Sequence, residues 1–226
     1  MIPIVEMKIG TMEQPMLRLE DIPGSEMEKR ALEVALTGGH PLAILYNEGS
    51  YAVQLIQTGV RLAQEVPVAF HALAYPWCPC GNYGSAKHEC RCSSRVIEKH
   101  LSKLSKRMDG FAIWLGATVP FAREMDRKGE SESDILKRIQ AARALPAPSD
   151  ELDAFCRDLI AAYVGTVSAT LDVAKVKSIA VSIARLDAQD RLLVQHVAEA
   201  LQYQPHALPG FSMWIKPAAV EASTIH

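Results

Sequence analysis

The chain has 226 residues, of which 49% are hydrophobic and 22% charged, and its formal charge is −2 at neutral pH. This length supports one good-sized domain or two small ones with real cores, and the balance is that of an ordinary globular protein. No apolar run reaches the roughly 18 residues that a membrane-spanning helix needs. Met1 to Gly10 carries Glu6 and Lys8 and lacks a signal-peptide layout, so a reducing cytoplasm is the expected location and disulfides are disfavoured.

In chain order, the first predicted element is a helix from Ser25 to Thr37. Ser25 and Glu28 are spaced as a capping box, and Gly38-Gly39 supplies the stop. Pro41 to Tyr46 is a continuous apolar run that reads as a buried strand. A turn at Asn47-Glu48-Gly49-Ser50 leads into a second helix, Tyr51 to Gln64, and Val66 to Ala74 reads as another strand. Strand, turn, helix and strand in that order predict a parallel crossover unit.

Four of the five cysteines then fall together, as Cys78-Pro79-Cys80-Gly81 and Cys90-Arg91-Cys92. Thiolates are good zinc ligands, and four of them on a short loop can fill a closed tetrahedral site. Gly81, Asn82, Tyr83, Gly84 and Ser85 suit a reversal that brings the two pairs face to face. C-x-C is less typical of zinc sites than C-x-x-C, and His71, His88 and His100 are near enough to replace one sulfur. Reduced thiols packing a loop, or two disulfides, are the alternatives. Cys156 follows Phe155 in a helical pattern and reads as core.

A third helix follows, Ser93 to Met108. Ile97, Leu101, Leu104 and Met108 recur at helical spacing toward a core, while Arg95, Lys99, Lys103 and Arg107 recur every fourth residue on another face. From Lys87 to Arg107 there are seven Lys or Arg against two Glu, so positive charge is concentrated here. Arg95, Lys99 and Lys103 are therefore candidate phosphate contacts for DNA, set against the alternative of a solvated helix face. Trp77 and Tyr83 read either as covers of the metal site or as platforms for stacking bases. Phe111 to Leu115 is a further strand, and Val119 to Gly129 is polar, as a linker is. The remainder reads as helices: Ser131 or Ser133 to Arg143, Ser149 to Tyr163, Ser168 to Leu186, and Ala188 to Tyr203. The tail from Gln204 holds Pro205, Pro209 and Pro217 and reads as irregular, with Trp214 in an apolar run. His40 reads as a strand-entry residue, and Asp150 with Glu151 as charges favouring a helix N-terminus.

This order of pieces resembles the magnesium-chelatase-like AAA+ ATPases, in particular their competence-protein branch. The resemblance rests on Leu19 to Gly24, Lys29 to Ala35 and Gly38-Gly39-His40. It continues through Cys78 to Gly84 with Cys90-Arg91-Cys92, Leu101 to Ser105, Arg107-Met108-Asp109 and His196 to Tyr203. It implies an α/β fold: a shortened AAA+-like core with a few-stranded sheet and a four-cysteine zinc loop, then an all-helical lid-like domain. The boundaries it suggests are an N-terminal segment 1–18, a core 19–120 with the zinc loop at 75–93, a linker 121–130, a helical domain 131–204 and a tail 205–226. Members of the family form ring ATPases, and the competence branch is similar to DNA branch-migration motors.

Against that pattern, the phosphate loop has lost its chemistry. Such a loop needs glycines to expose backbone N–H groups, a Lys for the phosphates and a Ser or Thr for magnesium. Here only Gly49 and Ser50 remain of a degenerate nucleotide loop. Tyr46 and Tyr51 stand where glycines belong, Ala52 where Lys belongs and Val53 where the hydroxyl belongs, and Glu48 adds negative charge. The acidic strand that the family carries before its next strand is missing between Gln54 and Pro67, and Thr170 follows Ser168-Ala169 where a phosphate-sensing Arg is expected. Arg107 matches the family's arginine finger, which acts on a neighbour's nucleotide. The expectation is a non-catalytic pseudo-ATPase that takes zinc but not ATP and serves as a DNA-binding or ATPase-interacting adaptor. The expected partners are DNA, an intact AAA+ ring or further copies of the chain, with no membrane. The alternatives are a residual ATP-binding subunit completed by a partner, and a purely structural zinc protein.

Overall fold

A computed structural model describes residues 4–7, 16–85, 88–105, 107–167 and 171–208. Its centre is a four-stranded sheet built from β1 (Ile4–Met7), β2 (Leu42–Tyr46), β3 (His71–Pro76) and β4 (Ile113–Gly116), in the order β1-β3-β2-β4. Every pairing is parallel. Helix α1 (Glu26–Gly38) precedes β2, α2 (Ala52–Glu65) joins β2 to β3, and α3 (Ser94–Ser105) joins β3 to β4. Helices α4 (Glu132–Ala144), α5 (Ala154–Thr166), α6 (Val173–Leu186) and α7 (Val194–Gln202) complete the chain.

The two-residue period of the strands divides the interior in two. Leu42, Ile44, Ala72, Ala74, Ile113 and Leu115 face one core, shared with Leu32 and Leu36 of α1 and Leu55, Ile56 and Leu62 of α2. Ala43, Leu45, Leu73, Tyr75 and Trp114 face the other, which Ile97, Leu101 and Leu104 of α3 cover. Strands β2, β3 and β4 are thus buried on both faces, as parallel strands are. The first core also takes in Ile135 and Ile139 of α4, Val176, Ile179 and Ile183 of α6, and Val197 and Leu201 of α7. The later helices therefore share apolar contact with α1 rather than closing a core of their own.

Polar ties fix this packing. Arg138 of α4 forks onto Glu33 of α1, with its Nη2 2.7 Å from Oε1. The Glu132 carboxylate accepts both Nη groups of Arg61 at 2.6 and 2.5 Å and the Leu19 N–H at 3.1 Å. Glu132 is 3% exposed but the Arg61 side chain 30% exposed, so this pair joins α4 to α2 at the margin of the core.

Several expectations need correction. Ser25 precedes α1 at φ 58 with no side-chain cap, and the Glu28 carboxylate reaches instead to the N–H and hydroxyl of Thr118 at 2.7 and 2.9 Å. A left-handed Ser25 cannot aim its hydroxyl back into the first turn, so the capping box does not form. Asp153 and Asp172, rather than Ser149 and Ser168, cap α5 and α6; the Asp153 carboxylate accepts from the Cys156 N–H. Ser149 instead pairs with Arg191 in a short bridge. The β3 strand begins at His71, later than Val66, because α2 runs on to Glu65 and Val66 closes it. Helix α7 begins at Val194 rather than Ala188, since Ala188 takes a left-handed turn at φ 51 and Leu193 is extended. The strand at Ile4–Met7 is an addition to the expected elements. Residues 168–170 and 209–226, with Thr170 and Trp214, lie outside the described residues.

Candidate metal centre and the crevice beside it

The metal loop leaves the end of β3. The Trp77 N–H donates to the Tyr46 carbonyl at 2.9 Å, extending the ladder one residue beyond the strand. Cys78 follows, fully buried in the α3-side core. The chain then turns twice. The Gly81 N–H closes on the Cys78 carbonyl at 3.0 Å with Gly81 at φ 79, and the Ser85 N–H closes on the Asn82 carbonyl at 2.9 Å with Gly84 at φ 75. Both glycines occupy the left-handed region where a side chain is strained. The second pair, Cys90 and Cys92, comes back against the first just ahead of α3.

This reversal gathers the four sulfurs. Cys78 Sγ lies 3.3 Å from Cys80 Sγ and 3.6 Å from Cys90 Sγ, and Cys80 Sγ lies 3.6 Å from Cys90 Sγ. All four Sγ atoms, Cys92 included, fall within 4.8 Å of one another. A zinc–sulfur bond of about 2.3 Å implies sulfur separations of about 3.8 Å around a tetrahedral ion. The three separations fall within about half an ångström of that spacing, and Cys92 lies within 4.8 Å of the others, so the four residues could hold one ion. The cysteines are free rather than disulfide-bonded. None of the histidines joins the group among the described residues. His100 is turned away, its Nε2 2.9 Å from the Pro76 carbonyl, and His71 stacks on Phe111.

The thiols differ in their readiness to ionise. The Asn82 N–H and the neighbouring Cys78 thiol bring Cys80 down to about 6. The Cys92 N–H favours ionisation of Cys90, but burial and the sulfurs of Cys78 and Cys80 outweigh it and push Cys90 up to about 12. Four adjacent thiolates repel, and a bound dication is what relieves that repulsion. Cys156, far away in the α5 region, is buried and raised to about 11 by that burial.

The loop between β2 and α2 lies directly against the metal loop. The Glu48 N–H donates to the Gly81 carbonyl at 2.8 Å, and Asn47 Nδ2 donates to the Tyr83 carbonyl at 3.2 Å. His88 Nε2 is 3.8 Å from Glu48 Oε1. Connections from β2 and β3 run to opposite faces of the sheet, which is where open parallel sheets bind ligands. Here the metal loop lies along one side of that crevice. Ala52 opens α2 fully packed, at 3% exposure, and Gly49 and Ser50 lie in the turn before it. A cavity of about 720 Å³ at this end of α2 is bordered by Glu48, Tyr51, Gln54, Phe121 and Met125; none of its described lining residues is Lys or Arg.

Arg95, Lys99 and Lys103 are all exposed along α3. The helix has 12 residues and so runs about 18 Å, which sets Arg95 at the metal end and Arg107 beyond the other. Trp77 and Tyr83, with Trp114, Gly116, Gln202 and Leu208, line a second cavity of about 600 Å³ at the carboxyl ends of β2, β3 and β4. Trp114 and Leu208 had no sequence signal beyond an apolar run; Asn47, at a strand end, had one.

Fold and site together define a parallel α/β domain with a four-cysteine cluster at the carboxyl edge of its sheet. Residues 63–117 match the model of the family described as magnesium chelatase, subunit ChlI, a relation that covers β3, the metal loop, α3 and β4. The matched segment stops short of the β2–α2 turn. No curated protein matches the chain. Among the described residues no helix is long and apolar enough to cross a membrane.

Proposed function

We propose that the chain is a non-catalytic, zinc-binding relative of the magnesium-chelatase-like AAA+ proteins, acting as a nucleic-acid-binding or ATPase-interacting adaptor. The observation that carries this reading is the convergence of four cysteine sulfurs at single-ion spacing. Cys78, Cys80, Cys90 and Cys92 would hold the ion. With four protein ligands a zinc ion has no open position, so it supplies a cross-link rather than Lewis-acid chemistry.

What the chain's own residues do follows from their placement. Cys78 anchors the loop in the core, Gly81 and Gly84 reverse it, and the Gly81 carbonyl holds the β2–α2 turn by the Glu48 N–H. That turn has an acidic side chain where phosphate chemistry needs a cation, and a buried Ala52 at the head of α2, which supports a role without ATP turnover. Four thiolates and one zinc ion carry a net double negative charge at the start of α3. The helix N-terminus favours that charge, and Arg91 lies within the cysteine pair itself. Arg95, Lys99 and Lys103, exposed along α3, are the cations offered to phosphates.

Metal analysis of protein purified under reducing conditions tests the centre: about one zinc per chain is expected, and none refutes it. Binding to DNA across a salt series tests the adaptor role. Changing Lys99 and Lys103 to Glu should lower the slope of log affinity against log salt by about 0.9 for each phosphate no longer neutralised. No binding at low salt would refute the DNA-binding role, and equal binding by the charge-reversed chain would leave the α3 stripe as a solvated face.

A further inference from the structure

The cavity between the metal loop and the sheet has a composition that selects its ligand. Three aromatic side chains, Trp77, Tyr83 and Trp114, stand among its walls, and none of its described lining residues is charged. Its volume of about 600 Å³ is that of a small-molecule pocket. Such a space disfavours a phosphate or carboxylate, which would lose hydration without gaining a counter-charge. It suits a neutral, flat ring.

Two of these rings form one wall. The ring centroids of Trp77 and Tyr83 are 6.5 Å apart with their planes inclined at 41°, the spacing of an aromatic pair in mutual contact, so a base packs against this pair from the cavity side rather than between its rings. Trp77 is held at 8% exposure, and Tyr83 is 40% exposed next to Gly84. The exposed α3 cations start just beyond the same loop, where a charged backbone carrying that ring could lie.

We propose that this cavity is a subsite for an unpaired nucleobase, packed against Trp77 and Tyr83, so that the chain prefers single-stranded nucleic acid to duplex. The proposal rests on the nucleic-acid reading above and adds to it the form of the strand. Stacking of one base on an aromatic wall is sequence-tolerant, because every base offers a flat face.

The test uses the full zinc-loaded chain and single strands of about ten nucleotides, as DNA and as RNA, each compared with a strand of equal charge lacking its bases and with duplex DNA. The base-bearing strand should bind about tenfold more tightly than the baseless one, with quenching of tryptophan fluorescence. Tyr83→Ala should remove that advantage without altering the salt slope, and Tyr83→Phe should restore it. DNA and RNA binding alike would assign recognition to the base, and binding of one alone would add a sugar contact to it. Equal binding of strands with and without bases, while Lys99→Glu still weakens both, would overturn the base subsite and leave the phosphate contacts standing. If no strand binds at any salt, the nucleic-acid reading fails first. Free adenosine at millimolar concentration, followed by saturation-transfer NMR, then decides the cavity by itself, and no transfer overturns it.

Discussion

His40 gives the fold a measurable sensitivity to acid. It follows the left-handed Gly39 that ends α1 and is 7% exposed, with Nε2 2.7 Å from the Ser182 hydroxyl of α6. Burial, only partly opposed by the backbone of Ser178, lowers its pKa to about 4. In the unfolded chain the imidazole takes its ordinary value near 6.5, so the two states differ by roughly 2.5 units. Between those values the unfolded chain holds a proton that the native chain refuses. The associated stability is fully present above about pH 6.5 and is lost as the pH falls to about 4. At about 1.4 kcal/mol per unit this amounts to ~3 kcal/mol, a large share of the 5–15 kcal/mol typical of a domain. Urea unfolding of the wild type and His40→Gln at several pH values from 7.5 to 4 is the assay. The variant keeps a hydrogen-bonding side chain but cannot titrate, so its stability should fall by ~3 kcal/mol less over that range. Burial also lowers His196 and His206, and protonation of the cysteine centre weakens metal binding, but both chains share these losses and the difference cancels them. Parallel curves for the two proteins would refute the neutral, buried imidazole and with it the close packing of α6 on the end of α1.

Three further outcomes are expected. Cys80→Ser should lower zinc content and melting temperature together, whereas Cys156→Ser, which removes a sulfur fully buried in the helical core, should cost stability while zinc stays at one per chain by metal analysis. Glu132→Ala should destabilise by about 2–4 kcal/mol in urea unfolding, because Arg61 and the Leu19 N–H lose a buried acceptor; the lower part of that range is favoured by the 30% exposure of the Arg61 side chain. Two helical glycines should respond with opposite sign. In Gly59→Ala the new Cβ would sit 2.7 Å from Leu32 Cδ1 and 2.9 Å from Phe70 Cε1, so overpacking of about 1–3 kcal/mol exceeds the helix gain. Gly165→Ala meets nothing within 4 Å and should stabilise by up to about 1 kcal/mol, read as a shift in thermal midpoint.

What could be read beforehand follows from how local each signal is. The crossover from β2 through α2 to β3 was legible because apolar runs, glycines and helical spacing all lie within a few dozen consecutive residues. The metal ligands were legible for the same reason, since one short loop carries all four. Strand β1 was not, because its place beside β3 is earned only by pairing with residues far along the chain. Ser25 misled because a capping box assumes extended backbone, whereas Gly24 and Ser25 both sit at positive φ. The cavity lined by Trp77, Trp114 and Leu208 assembles from three separated segments, and no spacing rule joins them.

The Glu48 amide makes one bond to one carbonyl, that of Gly81, across two loops far apart in sequence. Its exchange with solvent deuterium is therefore a gauge of the cysteine loop read from outside it. Glu48 is itself exposed, so little but this bond shields its amide. With the sulfurs tethered, that amide should exchange in step with the end of β3. With the tether cut by a chelator, it should exchange at nearly the rate of an open turn, while Ile44 in the strand behind it keeps its protection. A single backbone proton would thus separate loosening of the loop from loss of the sheet.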